Sequence, residues 1–575
     1  MDFSSLKLRD NQDLARKIIE EASKNKFKNR HEFEMFRNGI VKKAKGVIFH
    51  NLYFIKAYKD LVDEGVIVEN KNLLGLIRKR SVRTLSGVAP VTVLTKPYPC
   101  PGRCVYCPTD VRMPKSYIAS QPAAQRALGQ KFDPYTQVIV RLKALNITGH
   151  EVSKVELRII GGTWSSYKKN YQTWFVKRCL MAMNEFVVNV MSKKARKSFD
   201  DVVKENEIGK IRCIGINIET RPDFITKNEV KRLRFLGVTK VEMGVQTTSE
   251  EVQKITDRGH TLKEVKRATK LLKDAGFKIG YHMMPNLPGT TVNLDKKMIG
   301  ELFTDEGYQP DYLKIYPCVV VPQSKLFSWY KKGDYKPYDD KTLEEVLLEE
   351  MKSVPPWCRV DRIARDIPAN EIAAGFKSSN IRQILEERLL RQGIKPRDIR
   401  FREIGNEEID LKNVGLVERG YEASGGKEMF ISYEDLTKDK LIALLRLRFP
   451  FKAHCGGSVL ANSVSEANSQ GHPKGCLASS LSGAKSKRPE VFIDVLNGAA
   501  IIREIHVYGR QIPVGEKSGG NKQHVGWGRK LMKKAEKIAK KAGYGKIAVI
   551  AGIGTREYYK KLGYKLKDTY MIKYL

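Results

Sequence analysis

Between residues 86 and 370, short apolar runs alternate with amphipathic stretches of helical period. The runs Val91–Thr95, Val155–Ile160, Ile211–Ile218, Lys240–Gln246, Lys278–Met284 and Tyr312–Tyr316 read as strands. Alternation of this kind marks parallel βα units and predicts a partial TIM-type barrel. In such barrels the functional groups gather at the C-terminal ends of the strands. Those ends carry Gly161-Gly162-Thr163, Glu219-Thr220-Arg221, Gln246 and His282-Met-Met-Pro285.

The flanks have other rhythms. Residues 1–85 place Leu14, Ile18 and Ile19 at helical spacing and predict an α-helical region. Residues 371–425 are of mixed charge and read as a linker; they hold no cysteine cluster, so no zinc site is expected there. From 426 to 575 the pattern predicts a second α/β domain. Its expected strands are Met429–Ser432, Leu441–Leu447, Val491–Val495, Ala500–Val507 and Ile547–Ile550, with a helix at Arg529–Ala542. The stretch 455–487 is rich in Ser, Gly, Ala and Asn and reads as a disordered surface insertion. Cys455, His472 and Cys476 lie in it without a frame that would hold a metal.

Charge changes the picture. Lys and Arg number 104 against 65 Asp and Glu, a net +39 in 575 residues. An imbalance of that size calls for a polyanionic partner or a salty cytoplasm, and nucleic acid is the natural partner. A generally Lys-rich proteome is the alternative. Basic clusters fall at Lys24, Lys26, Lys28 and Arg30, at Lys42, Lys43 and Lys45, and at Arg78, Lys79, Arg80 and Arg83. With Phe27, Phe33 and Phe36 interleaved, they read as an RNA-binding arm, against a merely solvated helical face. No apolar run approaches the ~20 residues of a membrane span, and MDFSSLKLRD has no signal-peptide core, so a cytoplasmic protein without a membrane partner is expected. Nine cysteines suit a reducing compartment.

Three of those cysteines carry the chemistry. Cys100, Cys104 and Cys107 stand in CPGRCVYCP, directly after an apolar run. Thiolates packed into one loop are iron–sulfur ligands, and three on a four-iron cube leave one iron open. A structural zinc knuckle would want a fourth ligand nearby, which is lacking. Cys179, Cys213, Cys318 and Cys358 sit singly among apolar residues and read as core. Further on, Gln523-His-Val-Gly526-Trp-Gly528 opens a helix, where backbone N–H groups and the helix dipole favour a pyrophosphate.

The cysteine spacing resembles the radical S-adenosylmethionine (SAM) superfamily, whose open iron binds SAM. PKSY (114–117), GHEVSKVE (149–156), GINIETRPD (215–223), EMGVQT (242–247), RGHT (258–261), HMMPNLPG (282–289) and LKIYP (313–317) resemble the catalytic subunit of the Elongator complex. That resemblance implies a 4Fe-4S cluster on Cys100, Cys104 and Cys107. It also implies SAM contacts from Gly161, Gly162, Thr163, Glu219, Arg221 and Gln246, and an acetyl-CoA contact from Lys154. The turn Gln523, Gly526, Trp527 and Gly528 resembles the acetyl-CoA loop of GNAT acetyltransferases, with Glu504, Ile505, His506 and Val507 on the preceding strand and Tyr558 and Tyr559 after it. Lys154, Tyr558 and Tyr559 are thereby the catalytic candidates. The implied reaction installs a carboxymethyl group on carbon 5 of the wobble uridine in the anticodon loop of tRNA. An electron donor for the cluster is implied as well, while a homodimer or accessory subunits stay open. If Lys154 and the CoA loop hold one acetyl-CoA, its thioester is expected at the domain interface, close to the SAM radical. A protein lysine acetyltransferase with a structural cluster and a non-catalytic RNA-binding scaffold are the alternatives.

Overall fold

The computed structural model describes residues 9–43, 51–77, 87–186, 197–378, 380–405, 407, 409–450, 491–509 and 526–575. Seven parallel strands follow one another in chain order: β1 (Ala89–Leu94), β2 (Lys154–Ile160), β3 (Arg212–Thr220), β4 (Lys240–Gln246), β5 (Lys278–Met283), β6 (Tyr312–Ile315) and β7 (Arg359–Ile363). Six of them follow the apolar runs; β7, with Arg359, Asp361 and Arg362 among its five residues, gives no such signal. Helices cover the outer face, where Val155, Leu157 and Ile159 pack with Phe175, Leu180 and Leu272.

The inner face is different. Parallel strands are normally apolar on both sides. Here β2 alternates, and Lys154, Glu156 and Arg158 turn away from the outer core. Lys240, Glu242 and Lys314 continue that charge on β4 and β6. The lumen of the partial barrel is therefore an ion-paired interior rather than a packed aliphatic one.

The N-terminal helices Arg9–Ser23, Arg30–Lys43, Asn51–Asp63 and Lys71–Ile77 bury a core of their own around Ile18, Ile19, Phe33 and Phe54. Phe27 packs its ring against Phe33 and Phe36, at 5.6 and 5.2 Å between centroids. These three aromatics hold the helices together and are not the RNA-facing platform expected from their interleaving. Lys24, Lys26 and Lys28 are exposed. Lys45, Arg78, Lys79, Arg80 and Arg83 lie outside the described residues.

A second sheet has the order β13-β14-β12-β11-β10-β9-β8. Its strands are β8 (Val414–Ala423), β9 (Gly426–Asp435), β10 (Lys440–Phe449), β11 (Ala499–Val507), β12 (Lys546–Val549), β13 (Lys565–Lys567) and β14 (Tyr570–Tyr574). Every pairing is antiparallel except β11 with β12. The helix Trp527–Lys541 lays Leu531, Met532, Ala535 and Ala539 on this sheet. Two expectations are corrected. The stretch 371–425 is not a bare linker: helix Ile381–Arg391 buries Ile381, Leu385 and Leu389 in the first core, and β8 is an edge strand of the second sheet. The run Val491–Val495 is no strand, because Val491 and Leu496 pack into the first core and the backbone closes a 3-10 turn at Asp494–Leu496. The insertion 455–487 lies outside the described residues.

The two sheets meet closely. A Cβ on Gly552 would lie 2.0 Å from the Ile214 carbonyl oxygen, so only glycine lets the second domain's backbone approach β3 this far. No helix among the described residues is long and apolar enough to cross a membrane.

Candidate active site at the two ends of a barrel

The cysteine loop lies at the C-terminal end of the barrel, a few residues beyond β1. Cys107 donates its amide to the Cys104 carbonyl at 3.1 Å, and Val105 donates to Thr256 at 3.1 Å. All three thiols are free of disulfides. Burial opposes ionisation of Cys104, but the charge and hydrogen bond of Arg258, with Arg221 behind it, hold its pKa below the usual thiol range. Burial pushes the Cys107 thiol up to about 12. Soft thiols in one loop, one of them already biased towards thiolate, fit an iron–sulfur cluster.

The neighbouring strand ends sort the expected SAM contacts. Gly161, at φ 122°, packs so tightly that a Cβ would lie 2.4 Å from Thr95 Oγ1, whereas nothing stands within 4 Å of a Cβ on Gly162. Gly162 is the open backbone position. Thr163 is buried and has its Oγ1 3.5 Å from Cys100 Sγ, so it faces the thiol loop. Glu219 accepts hydrogen bonds from Tyr117 at 2.8 Å and from Lys314 at 3.2 Å. Arg221 is already engaged: it pairs with Asp223 at 3.0 Å and donates to the carbonyls of Arg258 and Gly259 at 2.9 and 2.8 Å. Gln246 holds a left-handed φ of 76° and leaves its buried Oε1 without a partner. His260, one residue beyond Gly259, has neither ring nitrogen bonded. Orphaned buried polar atoms beside the thiol loop fit a polar small molecule seated there.

Glu219, Glu242 and His282 converge closely enough to suggest a cation site. Lys314 fills that role itself, paired to both carboxylates, while His282 Nε2 lies 3.0 Å from Glu242. Below them Asn217 donates to Glu242 at 2.8 Å, and Lys240 bridges Glu242 at 3.1 Å to Asp361 at 2.8 Å. Tyr117, Arg258 and Lys314 stand in the segments PKSY, RGHT and LKIYP that carry the family resemblance, but they come from distant strands and loops, and nothing in the sequence assigns any of them a role.

At the opposite end lies a cavity of about 870 Å³ between the N-terminal mouth of the barrel and the second domain. Lys154, Lys240, Lys278, Glu504, His506 and Tyr558 line it. Lys154 is half-buried at the first residue of β2, and burial lowers its pKa. Pairing of β11 with β12 stops at Ile502, although β11 runs on to Val507. Into this splay points the helix beginning at Trp527, with Gly526 at φ 85° as its N-cap. A Cβ on Gly528 would come 3.0 Å from Tyr558 Oη and 3.8 Å from both Ile505 and Val507. An unpaired strand edge beside a helix N-terminus fits a ligand with amides and a pyrophosphate.

Some candidates here do other work. Trp527 is buried against Tyr433, at 4.5 Å between rings, and belongs to the core. Tyr559 is buried in that core as well as lining the cavity, whereas the adjacent Tyr558 is 41% exposed. Glu504 accepts from Tyr312 and from Arg446 Nε, the latter at 2.8 Å. Burial opposes its charge, but Lys278 and Arg446 hold it down to about 2. Gln523 lies outside the described residues.

The two ends are not adjacent. Lys154 begins and Ile160 ends the strand that leads to Gly161. Seven residues of strand span roughly 20 Å at ~3.3 Å each. The shared acetyl-CoA expectation places the thioester both at the domain interface and close to the SAM radical; the charged lumen separates those two places, so no single position satisfies both.

Residues 98–296 match the Radical SAM superfamily and residues 310–391 the Radical_SAM C-terminal domain. The chain is thus a radical SAM protein with a second α/β domain packed under its partial barrel. Over 88% of its length it is 39% identical to the tRNA uridine(34) acetyltransferase of Methanocaldococcus infernus, covering 89% of that relative. To human Elongator complex protein 3 it is 36% identical over 91% of either chain. The solved structure of archaeal Methanocaldococcus infernus Elp3, lacking residues 1–46 of its own N-terminus, matches 86% of this chain and 100% of that one, with a TM-score of 0.68 and 37% identity. The chain belongs to this family of tRNA uridine(34) acetyltransferases and Elongator complex protein 3.

Proposed function

We propose that this chain modifies the wobble uridine of tRNA, attaching a carboxymethyl group derived from acetyl-CoA to carbon 5 of the base. The observation that carries the reading is the pairing, in one molecule, of a three-thiol loop at one end of a barrel with a splayed strand and helix N-terminus at the other. SAM on the cluster supplies, when bound and reduced, a radical able to take a hydrogen atom from the acetyl methyl.

The chain's own residues do the rest. Cys100, Cys104 and Cys107 hold the cluster, and Gly162 offers an open backbone face beside it. Gln246 Oε1 and the His260 ring nitrogens are available to orient SAM. The amides opening the helix at Trp527 receive the CoA pyrophosphate, and the free edge of Glu504–Val507 receives the pantetheine amides. Lys154 donates a charge-assisted hydrogen bond to a CoA oxygen. The cavity enters the lumen as far as Arg158, Lys240 and Asp361, so an acetyl group on its pantetheine arm approaches Glu242 and Glu219 from below. Exposed Lys24, Lys26 and Lys28 attract tRNA phosphates, and bases in an anticodon loop can be splayed out for reaction. A low-potential one-electron donor completes the set. Basic side chains lining the cavity, among them Lys154, Lys210 and Arg212, outnumber its carboxylates and disfavour a protein lysine as acetyl acceptor.

Mass spectrometry of tRNA incubated with reduced protein, SAM and acetyl-CoA tests the reading. A carboxymethyl group on the wobble uridine is expected, and none with Cys104→Ser. Product formed without acetyl-CoA, or by the Cys104→Ser protein, would refute it.

A further inference from the structure

The segment Thr256–His260 backs the cysteine loop from a different part of the chain. Arg103 pairs with Asp257 at 3.3 Å, and the Val105 amide bonds Thr256. Between these contacts Arg258, 7% exposed, sends Nη1 to Cys104 Sγ at 3.3 Å and Nη2 to the Gly244 carbonyl. Arg221 braces it from behind through the carbonyls of Arg258 and Gly259. The backbone makes room for both guanidinium groups. A Cβ on Gly244 would lie 2.7 Å from Arg258 Nη2, and one on Gly102, inside the cysteine loop, 2.4 Å from Arg221 Nη1.

The charges of the two arginines are balanced differently. Arg221 has Asp223 as counter-ion. Among the described residues no carboxylate pairs with Arg258, and its hydrogen bonds go to one carbonyl and one sulfur. A buried cation without a carboxylate is costly unless some other anion answers it. The sulfur of Cys104 stands where that anion is required.

We propose that Arg258 is a positioning residue that raises the reduction potential of the cluster held through Cys104. This rests on the reading that Cys100, Cys104 and Cys107 carry an iron–sulfur cluster. Reduction brings one electron from a low-potential carrier and adds one negative charge beside a fixed positive one. An N–H···S bond and a buried cation stabilise the reduced state more than the oxidised. No proton moves, because a guanidinium stays protonated at any working pH.

The test is a redox titration of the reconstituted full chain, followed by electron paramagnetic resonance, with iron and sulfide content measured beside it. Arg258→Gln should still load iron, with the reduced fraction at a given potential falling about tenfold, equivalent to about 59 mV for one electron. Arg258→Lys should lie between it and the parent. Gly244→Ala, which keeps the arginine but crowds its Nη2 together with Gln246 Nε2, each 2.7 Å from the added Cβ, should shift the same way. A loaded Arg258→Gln protein with the parent's midpoint overturns the proposal. If Arg258→Gln fails to load, unshifted midpoints in Arg258→Lys and Gly244→Ala overturn it equally. A parent protein that takes up no cluster refutes the cluster reading instead.

Discussion

Arg503 on β11 donates hydrogen bonds of 2.8 and 2.6 Å to Asp311, the residue just before β6, and so ties the second sheet to the barrel. The same guanidinium reaches Glu428 at 3.0 Å, and all three side chains are buried. Lys273 sits among them at 3.8 Å from Asp311 and 3.7 Å from Glu428, its ammonium without a hydrogen bond. Arg503→Met leaves Asp311 to Arg446 and Glu428 to Arg448, with Lys273 beside both, and by removing the closest partner of the buried pair should cost about 3 kcal/mol. Lys273→Met removes an ill-satisfied charge and should cost less than about 1 kcal/mol, or stabilise. Denaturant unfolding of both variants checks this, and equal losses would contradict the pairing.

Glu504 makes the same interface sensitive to acid. Its folded pKa of about 2 lies below the ~4.3 of an unfolded glutamate. A depressed carboxylate contributes stability that is complete above about pH 4.3 and lost as pH falls through about 2. Two units of difference correspond to about 3 kcal/mol. Glu504→Gln should therefore be most costly near neutrality, with the gap to the parent closing below pH 4. A gap independent of pH would show that the charge of Glu504 contributes nothing.

The CoA reading separates three variants. Gly528→Glu fills the space beside Tyr558 and puts a carboxylate where the pyrophosphate belongs, so calorimetry should show CoA affinity falling by more than tenfold. Tyr558→Phe should bind nearly normally. Lys154→Ala should lower tRNA-stimulated acetyl-CoA hydrolysis; full retention there, with loss in Gly528→Glu, would mean that CoA never reaches the barrel.

For the N-terminal helices the measurement is tRNA affinity against salt. Neutralising Lys24, Lys26 and Lys28 together should weaken binding and reduce the slope by roughly one unit per lost phosphate contact. An unchanged slope would leave these lysines as a solvated face.

Local patterns were readable along the chain, and long-range partners were not. Six barrel strands follow apolar runs, and the thiol loop stands out by spacing alone. β8 reads as linker because Gly415, Glu418, Arg419 and Gly420 mimic one; what makes it a strand is its register on β9, where Arg419 pairs with Glu434 at 2.6 Å. Val491–Val495 is apolar for burial under the barrel, and hydrophobicity does not distinguish packing from pairing. Tyr558 and Tyr559 are neighbours in sequence and both line the cavity, but on the short helix Arg556–Lys560 Tyr558 stays 41% exposed while Tyr559 is buried in the core of the second sheet. Arg258 meets Cys104 across 154 positions of chain. No window of sequence contains both.

The alternation along β2 has a genetic corollary. Deleting or inserting one residue inside Lys154–Ile160 would rotate every later side chain to the opposite face. Lysine, glutamate and arginine would then be driven under the helices, and valine, leucine and isoleucine into a ring of unanswered ions. Such a strand can drift by substitution, position by position, but not by length. In a comparison of related genes, gaps should collect in the connections and avoid these seven codons.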